Sequence, residues 1–253
     1  MRLCHVTPAI VLRTWPFGES DKIVSFLTEN HGKLTGIAKG AKRSRKRFVN
    51  SLEPFSLVNL RFQDRAHSNL VFIVASDLTF GFKHLLTSLE KISFASYLVE
   101  ITDGLIGERE ENRLLFLHLK DGLNHLEEQS TSLTFLTSFE LKLLKLAGYQ
   151  PLLEGCRRCG RERRDRCAKR WHFSPRDGGI LCESCSRLRK EIFSLSAATL
   201  EILTNLQKSM PASDVSPPTR VLKEIRSVVV RFIEFHMERE IKSAVFLNQF
   251  ALA

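Results

Sequence analysis

In the first third of the chain, apolar residues come in short runs separated by turn-forming residues. Ala9 to Leu12 is apolar and closes at Arg13, just before Trp15-Pro16-Phe17-Gly18. Lys22 to Thr28 carries Ile23, Val24, Phe26 and Leu27; the turn His31-Gly32-Lys33 leads into Leu34 to Ala38. Leu57 to Phe62 alternates apolar and polar in its second half, and Leu70 to Ala75 is a fifth run. Short alternating segments bounded by Gly, Pro and Asn read as β-strands. Five of them within residues 1–80 predict a small closed barrel of the OB type.

From about Lys83 the period changes to that of a helix. Leu85, Leu89, Ile92 and Val99 form a stripe, thickened by Leu86, Leu98 and Leu105. Leu114 to Leu126 is a second helical segment, spanning Gly122, and Leu133 to Ala147 is a third, with Gly148 placed to cap it. Residues 151–190 lose the period. Helix returns at Ala197 to Lys208, breaks at the Pro-rich Met210 to Pro218, and resumes near Thr219 with Val221, Leu222, Ile225, Val228, Val229, Phe232 and Ile233. Ile241 to Phe250 is again apolar-rich. The expected organisation is an α+β multidomain chain: a five-stranded barrel over 1–80, a helical domain over 81–150 and 191–253, and a small module over 151–190 inserted in it.

The 253 residues are 43% hydrophobic, enough for real cores and against wholesale disorder. The net charge is +10, and the basic residues cluster, which points to a polyanionic partner. The apolar stretch at Ala9 to Leu12 is too short for a signal peptide, and no run approaches a membrane span. The reducing cytoplasm is the expected compartment, where paired cysteines bind metal or do redox work.

Cys156 and Cys159 form one C-x-x-C pair, and Cys182 and Cys185 form another. Two thiolates three positions apart can grip one ion from a tight turn, and two such pairs complete a tetrahedron around Zn²⁺. One structural zinc is expected, because four thiolates leave no position for a catalytic water. Gly160 suits the first knuckle, and Asp177-Gly178-Gly179 suits a hairpin that delivers the second pair. Cys167 and His172 lie between the pairs and are surplus to four ligands. A thioredoxin-like site would need its C-x-x-C at a helix start in a βαβ unit, which this pattern lacks.

The first basic segment, KLTGIAKGAKRSRKR, holds Lys33, Lys39, Lys42, Arg43, Arg45, Lys46 and Arg47, with no acid between Glu29 and Glu53. A phosphate-tracking loop on the barrel is the expected role, with Gly36 and Gly40 bending the backbone. It is not a P-loop, since it lacks the Gly-Lys-Ser/Thr ending. A second basic cluster, Arg157 to Arg170, lies inside the metal module. It serves either solubility or auxiliary contact with nucleic acid or an acidic protein tail. Trp15 and Phe17 read either as core or rim aromatics or as base-stacking groups. No G-x-S-x-G, H-E-x-x-H or acidic triad is present, and the eight histidines are scattered, so no enzyme is expected.

The order of these parts resembles the bacterial recombination mediator family RecO. The stretches that carry the likeness are Gly18-Glu19-Ser20-Asp21-Lys22-Ile23-Val24 through Thr28, Gly32-Lys33, Ala38-Lys39-Gly40-Ala41, Leu52-Glu53-Pro54-Phe55, Phe235-His236 and Ile241-Lys242-Ser243. The resemblance implies an N-terminal OB-fold and a non-enzymatic role in DNA repair on the RecF pathway. It implies binding of single- and double-stranded DNA, annealing of complementary strands, and help in loading RecA. It also implies association with RecR and with the acidic C-terminal tail of single-stranded DNA-binding protein, at the nucleoid. The family's basic barrel loop maps onto Lys39, Lys42, Arg43, Arg45, Lys46 and Arg47. Two rival classes stay open: a zinc-ribbon protein that binds RNA or ribosomes, which would prefer RNA in direct competition, and a zinc nuclease, which would turn over labelled DNA.

Overall fold

A computed structural model describes residues 3–163, 170–187, 189–208 and 217–251. The chain forms two compact units, Met1–Ser130 and Thr131–Ala253. The architecture is α+β, with the five-stranded barrel first, then helices that carry the four-cysteine module.

In the first unit the strands are β1 (Cys4–Phe17), β2 (Asp21–Thr28), β3 (Lys33–Ala38), β4 (Leu57–Gln63) and β5 (Val71–Phe80). They close in the order β1-β2-β3-β5-β4, with β3 and β5 parallel and all other pairs antiparallel. Alternate residues fill the interior: Val11, Val24, Phe26, Leu34, Val58, Leu60, Phe62, Val71 and Ile73 are all buried there. Gly36, expected to bend the chain, instead sits mid-strand: a Cβ there would lie 2.7 Å from the Val71 side chain. Its missing side chain lets β3 approach β5.

Two strands outrun the expected boundaries. β1 was expected to stop at Arg13, yet it continues through Pro16 to Phe17 after a bulge between Val11 and Arg13. Each end of β1 pairs on one side only, residues 4–10 with β4 and 9–17 with β2. Proline lacks a donor N–H but is tolerated where one strand edge is unpaired. β5 likewise runs on to Phe80 by pairing with β4 as far as Leu57.

Helices α1 (Leu89–Leu105) and α2 (Arg113–Glu128) complete this unit. Ser88 and Asn112 cap them by accepting from backbone N–H groups of the first turns, contacts worth about 1 kcal/mol each. The apolar stripe from Lys83 therefore opens with a single 3-10 turn at Leu85–Thr87 and becomes an α-helix only at Leu89. Leu86 and Leu89, read as part of its buried face, are exposed.

In the second unit, α3 (Leu133–Leu146) ends on Gly148, whose left-handed φ of 84° is the conformation glycine adopts without strain. The metal module follows with β6 (Trp171–Ser174), β7 (Gly179–Cys182) and the single turn α4 (Glu183–Ser186). β8 (Phe193–Leu195) joins them in a sheet of order β7-β6-β8. Helices α5 (Ala197–Lys208), α6 (Thr219–Met237) and α7 (Ser243–Ala251) complete the unit. Leu153 and Phe173 of the module line one apolar pocket with Leu203 of α5 and Val228 and Phe232 of α6. Among the described residues no helix is long and apolar enough to cross a membrane.

Candidate metal centre and nucleic-acid interface

The two cysteine pairs reach one place by different routes. Cys156 and Cys159 lie on a turn in which the Gly160 N–H donates to the Cys156 carbonyl at 2.9 Å, and Gly160 takes a φ of 72°. Cys182 ends β7, and Cys185 lies in α4. The strand and the knuckle are tied directly, since the Arg157 N–H donates to the Ile180 carbonyl at 2.8 Å. Gly179 is needed where the segment Pro151–Leu153 crosses the hairpin, because a Cβ there would meet the Leu152 carbonyl oxygen at 2.5 Å.

All four Sγ atoms lie within 4.8 Å of one another, and Cys159 and Cys182 are 3.8 Å apart. Four thiolates bound tetrahedrally at about 2.3 Å stand about 3.8 Å from each other. The cluster therefore fits one tetrahedral, sulfur-ligated ion. Burial pushes the Cys156 thiol up, but N–H groups of Cys159, Cys182 and Arg158 outweigh it and bring it down to about 6. Burial, with the neighbouring thiols of Cys182, Cys159 and Cys156, pushes Cys185 up to about 12. Four negative sulfurs in this space need a cation to coexist. His172 is not in the cluster; its Nδ1 faces the Ser194 hydroxyl at 3.2 Å. Cys167 lies outside the described residues, as do Arg164, Arg166 and Lys169 of the second basic cluster.

The basic residues of the barrel divide into two groups. Lys39, Lys42, Arg43, Arg45, Lys46 and Arg47 are all exposed on one loop after β3. Lys33 stands apart at the start of β3, where its ammonium donates to the Asp103 carbonyl at 2.7 Å and lies 3.5 Å from the Asp103 carboxylate. Its side chain is only 13% exposed. Its charge is answered by α1.

The loop is held by fixed anchors rather than floating. Phe48 and Leu52, just past it, are buried in the barrel core. The Lys42 ammonium donates to the Gly18 carbonyl at 2.8 Å, and the Arg47 guanidinium donates to the Lys39 carbonyl at 2.8 Å and lies over the Phe48 ring. Asp21 accepts from the Gly40 N–H at 2.8 Å; that bond, then the Ser20 hydroxyl and the charges of Lys39 and Lys42, hold its carboxyl below the usual carboxylate range. Lys39, Arg43, Arg45 and Lys46 make no ion pair among the described residues. Lys22, not singled out from the sequence, lines a cleft with Lys42, Arg45 and Asn50, where it pairs with Glu53 at 2.9 Å. That pairing spans 31 residues and leaves no local sequence signal.

Two family models match the chain, "Recombination protein O N terminal" over residues 1–82 and "Recombination protein O C terminal" over residues 86–244. The chain is similar to the DNA repair protein RecO of Syntrophus aciditrophicus, 34% identical over 257 residues, covering 98% of this chain and 96% of that protein. It is 32% identical over 244 residues to the DNA repair protein RecO of Caldanaerobacter subterraneus, covering 95% and 96% of the two chains. The DNA repair protein RecO of Myxococcus xanthus is 33% identical over 244 residues, with 96% and 97% covered.

Proposed function

The chain belongs to the RecO family, whose role lies in DNA repair and recombination, and from that premise we propose that it is a non-enzymatic mediator that anneals complementary single strands and helps load the recombinase. The observation that supports this most is the anchored loop with six exposed cations, Lys39, Lys42, Arg43, Arg45, Lys46 and Arg47.

Two DNA strands repel each other as polyanions. A protein that lines phosphates with Lys and Arg releases condensed counterions and screens that repulsion, so pairing proceeds with no bond made or broken. The loop would track the backbone of one strand. RecR, the acidic C-terminal tail of single-stranded DNA-binding protein and, indirectly, RecA are the partners this role requires, with the tail bringing coated DNA to the cationic chain. The ion held by Cys156, Cys159, Cys182 and Cys185 is Zn²⁺ in this reading: four thiolates suit it, and it braces the module rather than reacting.

The decisive assay is annealing of complementary strands coated by single-stranded DNA-binding protein, with and without that protein's acidic tail. Faster annealing that needs the tail supports the proposal; robust metal-dependent cleavage of the DNA, or a preference for RNA in direct competition, would sink it.

A sharper test addresses the loop. Replacing Arg43, Arg45 and Lys46 by Ala removes cations that hold nothing else in place. The slope of log K against log salt for single-stranded DNA should then flatten by about 2, at roughly 0.7 per phosphate contact. An unchanged slope removes the loop from the interface.

A further inference from the structure

The register of the barrel places an aromatic surface beside the cationic loop. Trp15 pairs with Ile23, Ile23 with Ile37, and Ile37 with Phe72, so these four form one row across β1, β2, β3 and β5. Their strand neighbours Val24 and Val71 point into the core, so the row lies on the outer face of the barrel, where Ile37 in its middle is covered at 6% exposure. Trp15 is 39% exposed, and Phe17, two residues on along the same face, is 50% exposed. Ile23 and Phe72 are half-buried beside them.

The other end of this face is already occupied. Arg13 is paired with Asp103 at 2.8 Å, and the Thr35 hydroxyl donates to Glu108 at 2.8 Å. No such contact reaches Trp15 or Phe17 among the described residues. What adjoins them is the cationic loop: Gly18, which accepts from Lys42, directly follows Phe17, and Asp21, which anchors Gly40, pairs with Phe17 across the hairpin.

We propose that Trp15 and Phe17 are a stacking platform for unpaired DNA bases, which makes this face of the barrel prefer single strands to duplex. The proposal rests on the reading of the loop as a phosphate-binding element. Aromatic faces and cations interleaved along one surface are the chemistry that holds single strands without regard to sequence. In a duplex the base faces are already stacked on their neighbours, so the platform gains nothing there, while the cations still meet phosphates.

The test uses the full chain, an oligothymidylate and a duplex of equal length. The protein has two tryptophans, and the other, Trp171, is only 7% exposed. Single-strand binding should quench the Trp15 emission, and Trp15→Phe should lose that signal while recovering most of the affinity lost in Trp15→Ala. The double variant Trp15→Ala, Phe17→Ala should bind the oligothymidylate roughly 10- to 100-fold more weakly, and the duplex within about twofold of the parent. Equal loss on both DNAs, or an unmoved ratio between them, overturns the platform and leaves the loop reading standing. A parent chain that binds neither DNA removes both.

Discussion

Replacing Cys182 and Cys185 together by Ser is expected, on the proposed reading of the cluster as a zinc site, to release one ion per chain and to lower the stability of the second unit by about 4 kcal/mol. Anything that binds only the folded state stabilises it by mass action, and an ion at a thousandfold its dissociation constant contributes about 4.1 kcal/mol. The loss should spread beyond the knuckles, because the module is tied to neighbouring helices. Arg163 donates to the Thr204 hydroxyl at 3.1 Å, Gln207 to the Pro151 carbonyl at 2.8 Å, and the Phe173 ring meets Phe232 edge-on. Metal content by mass spectrometry and the urea midpoint, read together, test this; a variant that keeps both values of the parent shows that the ion is not structural.

The same site has a pH signature. At neutral pH the Cys156 thiol, lowered to about 6, is already ionised, whereas Cys185, raised to about 12, holds its proton until a cation displaces it. Zinc uptake at pH 7 should therefore release protons and tighten as pH rises. Below about pH 6 Cys156 must also lose a proton, so affinity should fall more steeply with acid. Calorimetry in buffers of different ionisation enthalpy measures the proton count; uptake without proton release contradicts this picture.

The second large effect lies in the helices. Glu140 of α3 is fully buried and its carboxylate accepts from the guanidinium of Arg226 of α6, which is 5% exposed. Breaking a buried ion pair by removing one of its partners costs about 3–5 kcal/mol. Glu140→Ala and Arg226→Met should each show that loss in the urea midpoint. Replacing both by Met should recover most of it or exceed the parent, since an apolar pair avoids the desolvation of two ions. Additive losses in the double variant would mean that the two charges act separately. Metal content should be unaffected, which separates this effect from the cysteine variants.

Both predictions draw on features with different visibility in the sequence. The cluster of four cysteines is legible because a C-x-x-C knuckle is local and two of them frame one short module. The strand-to-helix change near residue 83 was legible because a period of two and a period of 3.6 are properties of single elements. The buried ion pair leaves only a weak trace in the sequence: Glu140 lies four residues after Leu136 and three before Leu143, and Arg226 lies four after Leu222 and three before Val229. Each charge thus sits on the apolar stripe of its helix, a position that costs free energy unless a partner is found there.

Lys33 shows the opposite case. In sequence it opens the basic segment, but it is paired 70 residues away with Asp103. Trp15 and Phe17 were undecided between rim and stacking roles because exposure depends on what covers a strand, not on the strand itself. The grouping of α1 and α2 with the barrel is of the same kind.

The sequence by itself determined the order of barrel and helices, the four cysteines that cluster and the position of the cationic loop, since each follows from spacing or composition within a short stretch. The tertiary structure decided which cations remain exposed, which aromatics face solvent and which helical charges are buried together. Those outcomes depend on contacts between residues dozens of positions apart, such as the 86 that separate Glu140 from Arg226. Hydrophobic burial selects which faces meet, and only then does electrostatics settle which charges are answered and which stay exposed.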